Sequence, residues 1–153
     1  MDNLYDYTHA YIFVRRALLS PDRKLKLAAT LGLGASRRGL KWGNMARIGF
    51  SLGRSTRIWK PGWWTLSTAV EQHALWDDPT FKLDATFGLH LTDRLKTFVD
   101  LETSQRKGGS DTLTLRGSLA WDTGRGAHLV FGVEAKDAAY RAIGLRAGIW
   151  RSF

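Results

Sequence analysis

The chain contains no cysteine. That excludes a disulfide framework and any thiolate metal site. It also lacks the apolar run of roughly 18 residues that a membrane-spanning helix requires. Its first residues, Met1-Asp2-Asn3-Leu4, have neither the basic n-region nor the apolar h-region of a secretory signal. For an exported protein, such a start is expected of a mature form, a cloned form or a fragment. No segment has a convincing helical period, and there is no linker, low-complexity tract or glycine-rich phosphate loop. Acidic residues are the minority charge, 14 against 23 Lys and Arg, for a net charge of +9. A balance this basic favours an anionic partner. The missing apolar run does not exclude a membrane, because a barrel strand places its apolar residues at every second position.

What is present is a period of two. In segment 24–34, Leu25, Leu27, Ala29, Leu31 and Leu33 share one face, while Lys24, Lys26, Ala28, Thr30 and Gly32 share the other. Successive strand side chains point to opposite sides, so this pattern predicts a strand with one apolar face. The same pattern recurs at 44–53, 63–74, 80–91, 95–104, 111–121, 127–136 and 141–153. In segment 95–104, Phe98 falls on the polar side. A less regular segment, 4–16, alternates around Tyr5, Tyr7, Tyr11 and Phe13.

Turn signals separate the runs: Ser20-Pro21-Asp22, Asp77-Asp78-Pro79, Thr92-Asp93-Arg94, Lys107-Gly108-Gly109-Ser110, Asp122-Thr123-Gly124 and Lys136-Asp137-Ala138. Longer polar stretches at 35–42 and 54–62 are expected to be loops. Connections this short predict antiparallel hairpins between neighbours. About nine strands of about ten residues result, a length that suits a tilted strand crossing a bilayer. The predicted fold is therefore a single all-β domain over 1–153, an antiparallel up-and-down transmembrane β-barrel of about 8–10 strands, complete or incomplete.

Alternation alone does not say which face meets water. The polar face also carries Gly32, Gly49, Gly53, Gly88, Gly132, Gly144 and Gly148. Small residues suit a crowded interior, where they leave space for long charged side chains. The apolar face carries large Leu, Phe and Ile, as a lipid-facing band would. Seven tryptophans are many for this length, and Trp63, Trp64, Trp76, Trp121 and Trp150 fall near strand ends. They are expected to form an aromatic girdle at the membrane interfaces.

The chain ends in a strand reading GLRAGIWRSF, with Phe153 on its apolar face. This tail resembles the C-terminal strand of bacterial outer-membrane proteins, although Arg151 stands where an apolar residue is more usual. The resemblance is to small OmpA/OmpX-type barrels in architecture, or to the C-terminal part of a larger porin-like barrel. It implies that Phe153 is a signal read by the barrel-assembly machinery. It also implies an even strand number with both ends in the periplasm. Nine strands then mean either that 4–16 is not a strand or that one more strand precedes it.

Polar residues on the predicted lumen face are Lys24, Lys26, Arg47, Glu71, His73, Lys82, Asp84, His90, Lys96, Asp100, Glu102, Arg116, His128, Glu134 and Arg146. Within it, Glu71 is expected to face Lys82, and Arg116, Glu134 and Arg146 to cluster; with His73 and Asp84 these form the expected lumen polar network. Buried charges are costly unless paired, so a structural polar plug is the first expectation and a narrow charged pore the second. Small outer-membrane barrels include lipid A deacylases and palmitoyltransferases, which use a His with Ser and an acid. No His-x-Ser arrangement of the deacylase kind occurs here, and no catalytic residue is assigned. Glu71 and His73 offer two metal ligands without a third, so neither metal nor cofactor is expected.

Arg37, Arg38 and Lys41 form a basic patch in the 35–42 stretch. Counting strands back from Phe153 places it outside the cell, where it would meet lipopolysaccharide phosphates. The expected function is a non-enzymatic outer-membrane barrel protein with a structural, adhesive or minor pore role. Its partners would be outer-membrane lipid, lipopolysaccharide and the assembly machinery. Nucleic acid is not expected. The alternatives are the C-terminal segment of a larger porin or polysaccharide-export barrel, a lipid A-modifying enzyme, and a soluble lipocalin-like binding barrel.

Overall fold

The computed structural model describes residues 7–20, 22–75, 77–109, 111–124, 126–138 and 141–151. Trp76 and Phe153 lie outside this set, as do the side chains of Arg38 and Trp150. Nine strands follow one another: β1 (Tyr7–Ala17), β2 (Leu25–Arg38), β3 (Lys41–Arg57), β4 (Pro61–His73), β5 (Thr80–His90), β6 (Leu95–Arg106), β7 (Thr112–Gly124), β8 (Ala127–Asp137) and β9 (Arg141–Arg151). They form a single sheet in sequence order, each strand antiparallel to the next. No helix forms among the described residues. Segment 4–16 does hold a strand, β1.

Among the described residues the sheet does not close. It runs from β1 to β9 without a β1–β9 pairing, so the expected closed barrel is an open, curled wall. The curl is visible in a cavity of about 280 Å³, bounded by Trp63 of β4, Phe98 and Asp100 of β6, and Arg146 and Gly148 of β9. Strands five places apart in the sheet thus border one space. We call the face toward it the inner face.

Two stretches expected to be loops are strand. Residues 35–38 pair with 41–44, leaving only Gly39 and Leu40 as the turn. Residues 54–57 pair with 61–64. The cause is that ladder pairing satisfies backbone N–H and C=O groups whatever the side chain, so strands continue past their apolar stretch. Gly39 has φ of +59°, a left-handed conformation that suits glycine in a two-residue hairpin turn. The basic patch is consequently not a loop. Arg37 and Arg38 end β2, Lys41 begins β3, and Arg38 pairs with Lys41. A smaller difference occurs at Asp122-Thr123-Gly124, which remains in β7 with a register shift. Its side chains still bend the chain, since the Asp122 carboxylate accepts from the Gly124 N–H at 2.7 Å.

Register sorts the faces. Leu31 pairs with Ile48, Leu101 with Leu115 and Leu119 with Phe131. These side chains point outward and stay exposed, Phe131 at 56%. Glu71, His73, Thr114, Ser118 and His128 alternate with them and are buried. No second layer covers the apolar side among the described residues. Phe98 belongs to the inner face, paired with Gly88 and Ser118.

Glycine provides space on that inner face. A Cβ at Gly88 would overlap the Trp63 ring, and one at Gly34 would overlap Tyr11. Gly88→Ala should therefore lower unfolding stability by about 1–3 kcal/mol, the usual cost of overpacking. Denaturant titration in detergent micelles measures it, and adding Trp63→Ala should return most of the loss.

Candidate functional site

The inner face gathers its charges into two groups. The first spans β3, β4 and β5. Arg47 and Glu71 are direct register partners, and Arg47 Nη1 donates to Glu71 Oε1 at 2.7 Å. Lys82 stands opposite Ala69, one step diagonal, and its Nζ lies 3.0 Å from Glu71 Oε2. Glu71 is 3% exposed, so each carboxylate oxygen meets a cation in a sheltered place. This follows from the period of two, which aims residues 47, 71 and 82 at the same side.

The group extends toward β1 and β2. His73 Nε2 is 3.6 Å from Glu71 Oε2, and His73 Nδ1 is 3.2 Å from the Ser36 hydroxyl. The Tyr11 hydroxyl is 3.4 Å from Arg47 Nη1, and the guanidinium sits 5.6 Å from the Tyr11 ring centroid. Met45 pairs with His73 and is buried beside it. Ser36 and Met45 were not singled out from the sequence, and Tyr11 was read only as part of the alternation in 4–16. Ser36 would have been found by continuing the alternation of Gly32 and Gly34 two residues further.

Ser36, His73 and Glu71 follow the order hydroxyl, imidazole, carboxylate of a hydrolytic triad. Their surroundings do not suit that chemistry. Ser36 is fully buried and His73 is 1% exposed, so no substrate carbonyl reaches the hydroxyl in this arrangement. Both Glu71 oxygens are already held by cations. The geometry instead ties β2, β3, β4 and β5 together. No group of three His, Cys, Asp or Glu able to hold a metal occurs among the described residues.

The second group spans β6, β7 and β8. Arg116 lies between Glu102 and Glu134, with Nη1–Oε2 2.7 Å and Nε–Oε2 2.5 Å. Glu102, rather than Arg146, is the third member of this cluster. Arg146 pairs with Gly132 on the edge strand, is exposed, and makes no ion pair among the described residues. Asp84 faces inward directly across from Glu102 and joins neither group. Asp100 accepts from Thr86 at 2.7 Å, and Lys96 reaches His128 at 2.9 Å.

The five tryptophans expected in one girdle divide. Trp64 and Trp121 are on the outer face, paired with Phe87 and Leu129. Trp63 is on the inner face, because its register partner is inward-facing Gly88. Its ring makes an edge contact with His90 at 5.4 Å and a tilted one with Phe98 at 6.3 Å. Two adjacent tryptophans in a strand necessarily point opposite ways. Trp150 pairs with His128 in register, while its side chain and Trp76 lie outside the described residues.

Glu71→Gln should leave the Arg47 and Lys82 cations facing each other across a sheltered site. A loss of about 3 kcal/mol is expected, typical of breaking a buried pair from one side. Lys82→Met in the same chain should return part of it, as read by denaturant titration in detergent.

The chain matches no protein-family model, no curated protein and no solved structure.

Proposed function

We propose that this chain forms wall of a bacterial outer-membrane β-barrel and has a non-enzymatic role, structural, adhesive or as a minor pore. The observation that carries the reading is the direction of its side chains. Leu83, Phe87, Leu115 and Phe131 face outward and are exposed, while Lys82, Arg116 and Glu134 share the inner face. A soluble ligand-binding barrel requires the reverse, with apolar residues inward and charge in water. Exposed apolar patches on soluble monomers rarely exceed a few hundred Å², whereas here the outer face exposes large apolar side chains on every strand from β1 to β9. Hydrocarbon is the solvent that stabilises such a surface.

The inner face supports a plug better than a wide channel. Glu71 is neutralised by Arg47 and Lys82, and Arg116 by Glu102 and Glu134. Paired charges of this kind cross-link the wall and contribute little free charge for selecting ions.

The hairpin of β2 and β3 supports the surface part of the reading. Its turn carries exposed Leu40, with Trp42 and Lys41 beside it and Arg37 one strand away. Arg37 Nε donates to the Gly39 carbonyl at 2.6 Å, which positions it at the tip. Basic and aromatic groups at a strand end suit a membrane rim rich in lipid phosphate.

Two measurements test this function. Leu115→Arg places a charge in the middle of the apolar face, where lipid makes it cost about 2–4 kcal/mol. Folding titrations in lipid vesicles should show that loss; an unchanged midpoint would sink the membrane reading. Arg37→Glu with Lys41→Glu should weaken binding to lipopolysaccharide-containing vesicles by at least about thirtyfold, about 1 kcal/mol for each cation lost near the surface, while leaving insertion intact.

A further inference from the structure

The gap between β1 and β9 has a definite parity. Each strand is antiparallel to the next, so β1 and β9, both odd-numbered, run the same way. Direct closure would need a parallel seam. Two copies inserted in the same sense would meet at two such seams. An antiparallel wall is completed only by an odd number of additional strands. The need is physical, since unpaired edge N–H and C=O groups cannot remain in hydrocarbon.

The β9 edge also shows what should lie on it. Seven inner-face glycines in strands β2 to β8 have a side chain over them. Tyr11 covers Gly32 and Gly34, Leu75 covers Gly43, Ala69 covers Gly49, Thr65 covers Gly53, Trp63 covers Gly88 and Ser118 flanks Gly132. Among the described residues, nothing lies within 4 Å of the Cβ position of Gly144 or Gly148 of β9. Between them stands Arg146, exposed and without an ion pair among the described residues. On the outer face, Leu145 is 90% exposed against 49% for Leu115 of interior β7. Among the described residues, this edge has empty sockets, an unmatched cation and an uncovered apolar row.

We propose that the wall is completed by a partner β segment with an odd number of antiparallel strands, and that its strand on β9 carries large side chains over Gly144 and Gly148 and an acid beside Arg146. The inference rests on the barrel-wall reading and adds the number and the side-chain chemistry of what is missing. A partner of this kind alternates apolar and polar residues as β2 to β8 do. Its inner row reads large, acidic, large at successive second positions.

The absence of cysteine makes the seam testable in the full chain. Ile12→Cys is combined in turn with Ile143→Cys, Leu145→Cys and Ile149→Cys, and oxidised in the cell envelope. No disulfide within a chain or between copies is expected. Either disulfide would overturn the proposal, the first by showing direct closure and the second by showing a second copy at the seam.

Strand number is then varied in detergent. A copy of β8 is placed ahead of β1 through a Gly-containing turn, with Val130→Tyr, Gly132→Glu and Glu134→Tyr in the copy. This ten-strand chain should give at least tenfold more heat-modifiable, folded species than an eleven-strand chain carrying copies of β7 and β8. It should also exceed a ten-strand control whose copy bears Val130→Gly, Gly132→Lys and Glu134→Gly. Equal folding of the ten- and eleven-strand chains would refute the parity, and equal folding of the two ten-strand chains would refute the side-chain complement. Both readouts depend on the seam alone. The Leu115→Arg vesicle titration reports separately on the barrel-wall reading.

Discussion

Antiparallel register holds this sheet in a single arrangement of faces. A slip of one residue between any two strands would carry a row of leucines to the side that holds Glu71 and Arg116, and would carry those charges into the apolar surface. The buried ion pairs resist the slip, because Arg47, Glu71 and Lys82 meet only when residues 47 and 71 stand opposite and 82 lies one step diagonal. Arg116 with Glu102 and Glu134 sets the same condition for β6, β7 and β8. Charge pairing inside and apolar exposure outside are two consequences of one backbone ladder.

The inner face is built by complementary volumes. Large residues on one strand lie over glycines on the next, as Trp63 does over Gly88 and Tyr11 over Gly34. This lets a narrow curled sheet hold a tryptophan, a tyrosine and several long charged side chains on its concave side. It explains why most strand glycines lie on the polar face although glycine weakens strands intrinsically. The same rule gives the β9 edge its meaning, where two glycines and a cation lack their counterpart.

Much of the strand plan was legible in the sequence. Segments 24–34, 80–91 and 127–136 alternate cleanly, and β2, β5 and β8 lie on them. Legibility failed where apolar residues ran out. Ala35 to Arg38 and Arg54 to Arg57 read as loops because nothing greasy marked a face, although their backbones pair fully. It also failed for Trp63, assigned to a girdle by residue type when its parity already placed it beside Thr65 and Ser67. Segment 4–16 was ambiguous because β1 is an edge whose inner row is aromatic, which obscures the contrast between faces.

By itself the sequence bounded the strand count and determined the strand order and which residues of each alternating run share a side, because a period of two and short turns are local properties. Only the tertiary structure decided which partners meet across strands. Glu102 rather than Arg146 joins Arg116, and Ser36 meets His73, because these contacts depend on register and curl between segments far apart in the chain. The open seam is likewise a tertiary property: whether the last strand reaches the first depends on sheet curvature, which no local pattern encodes.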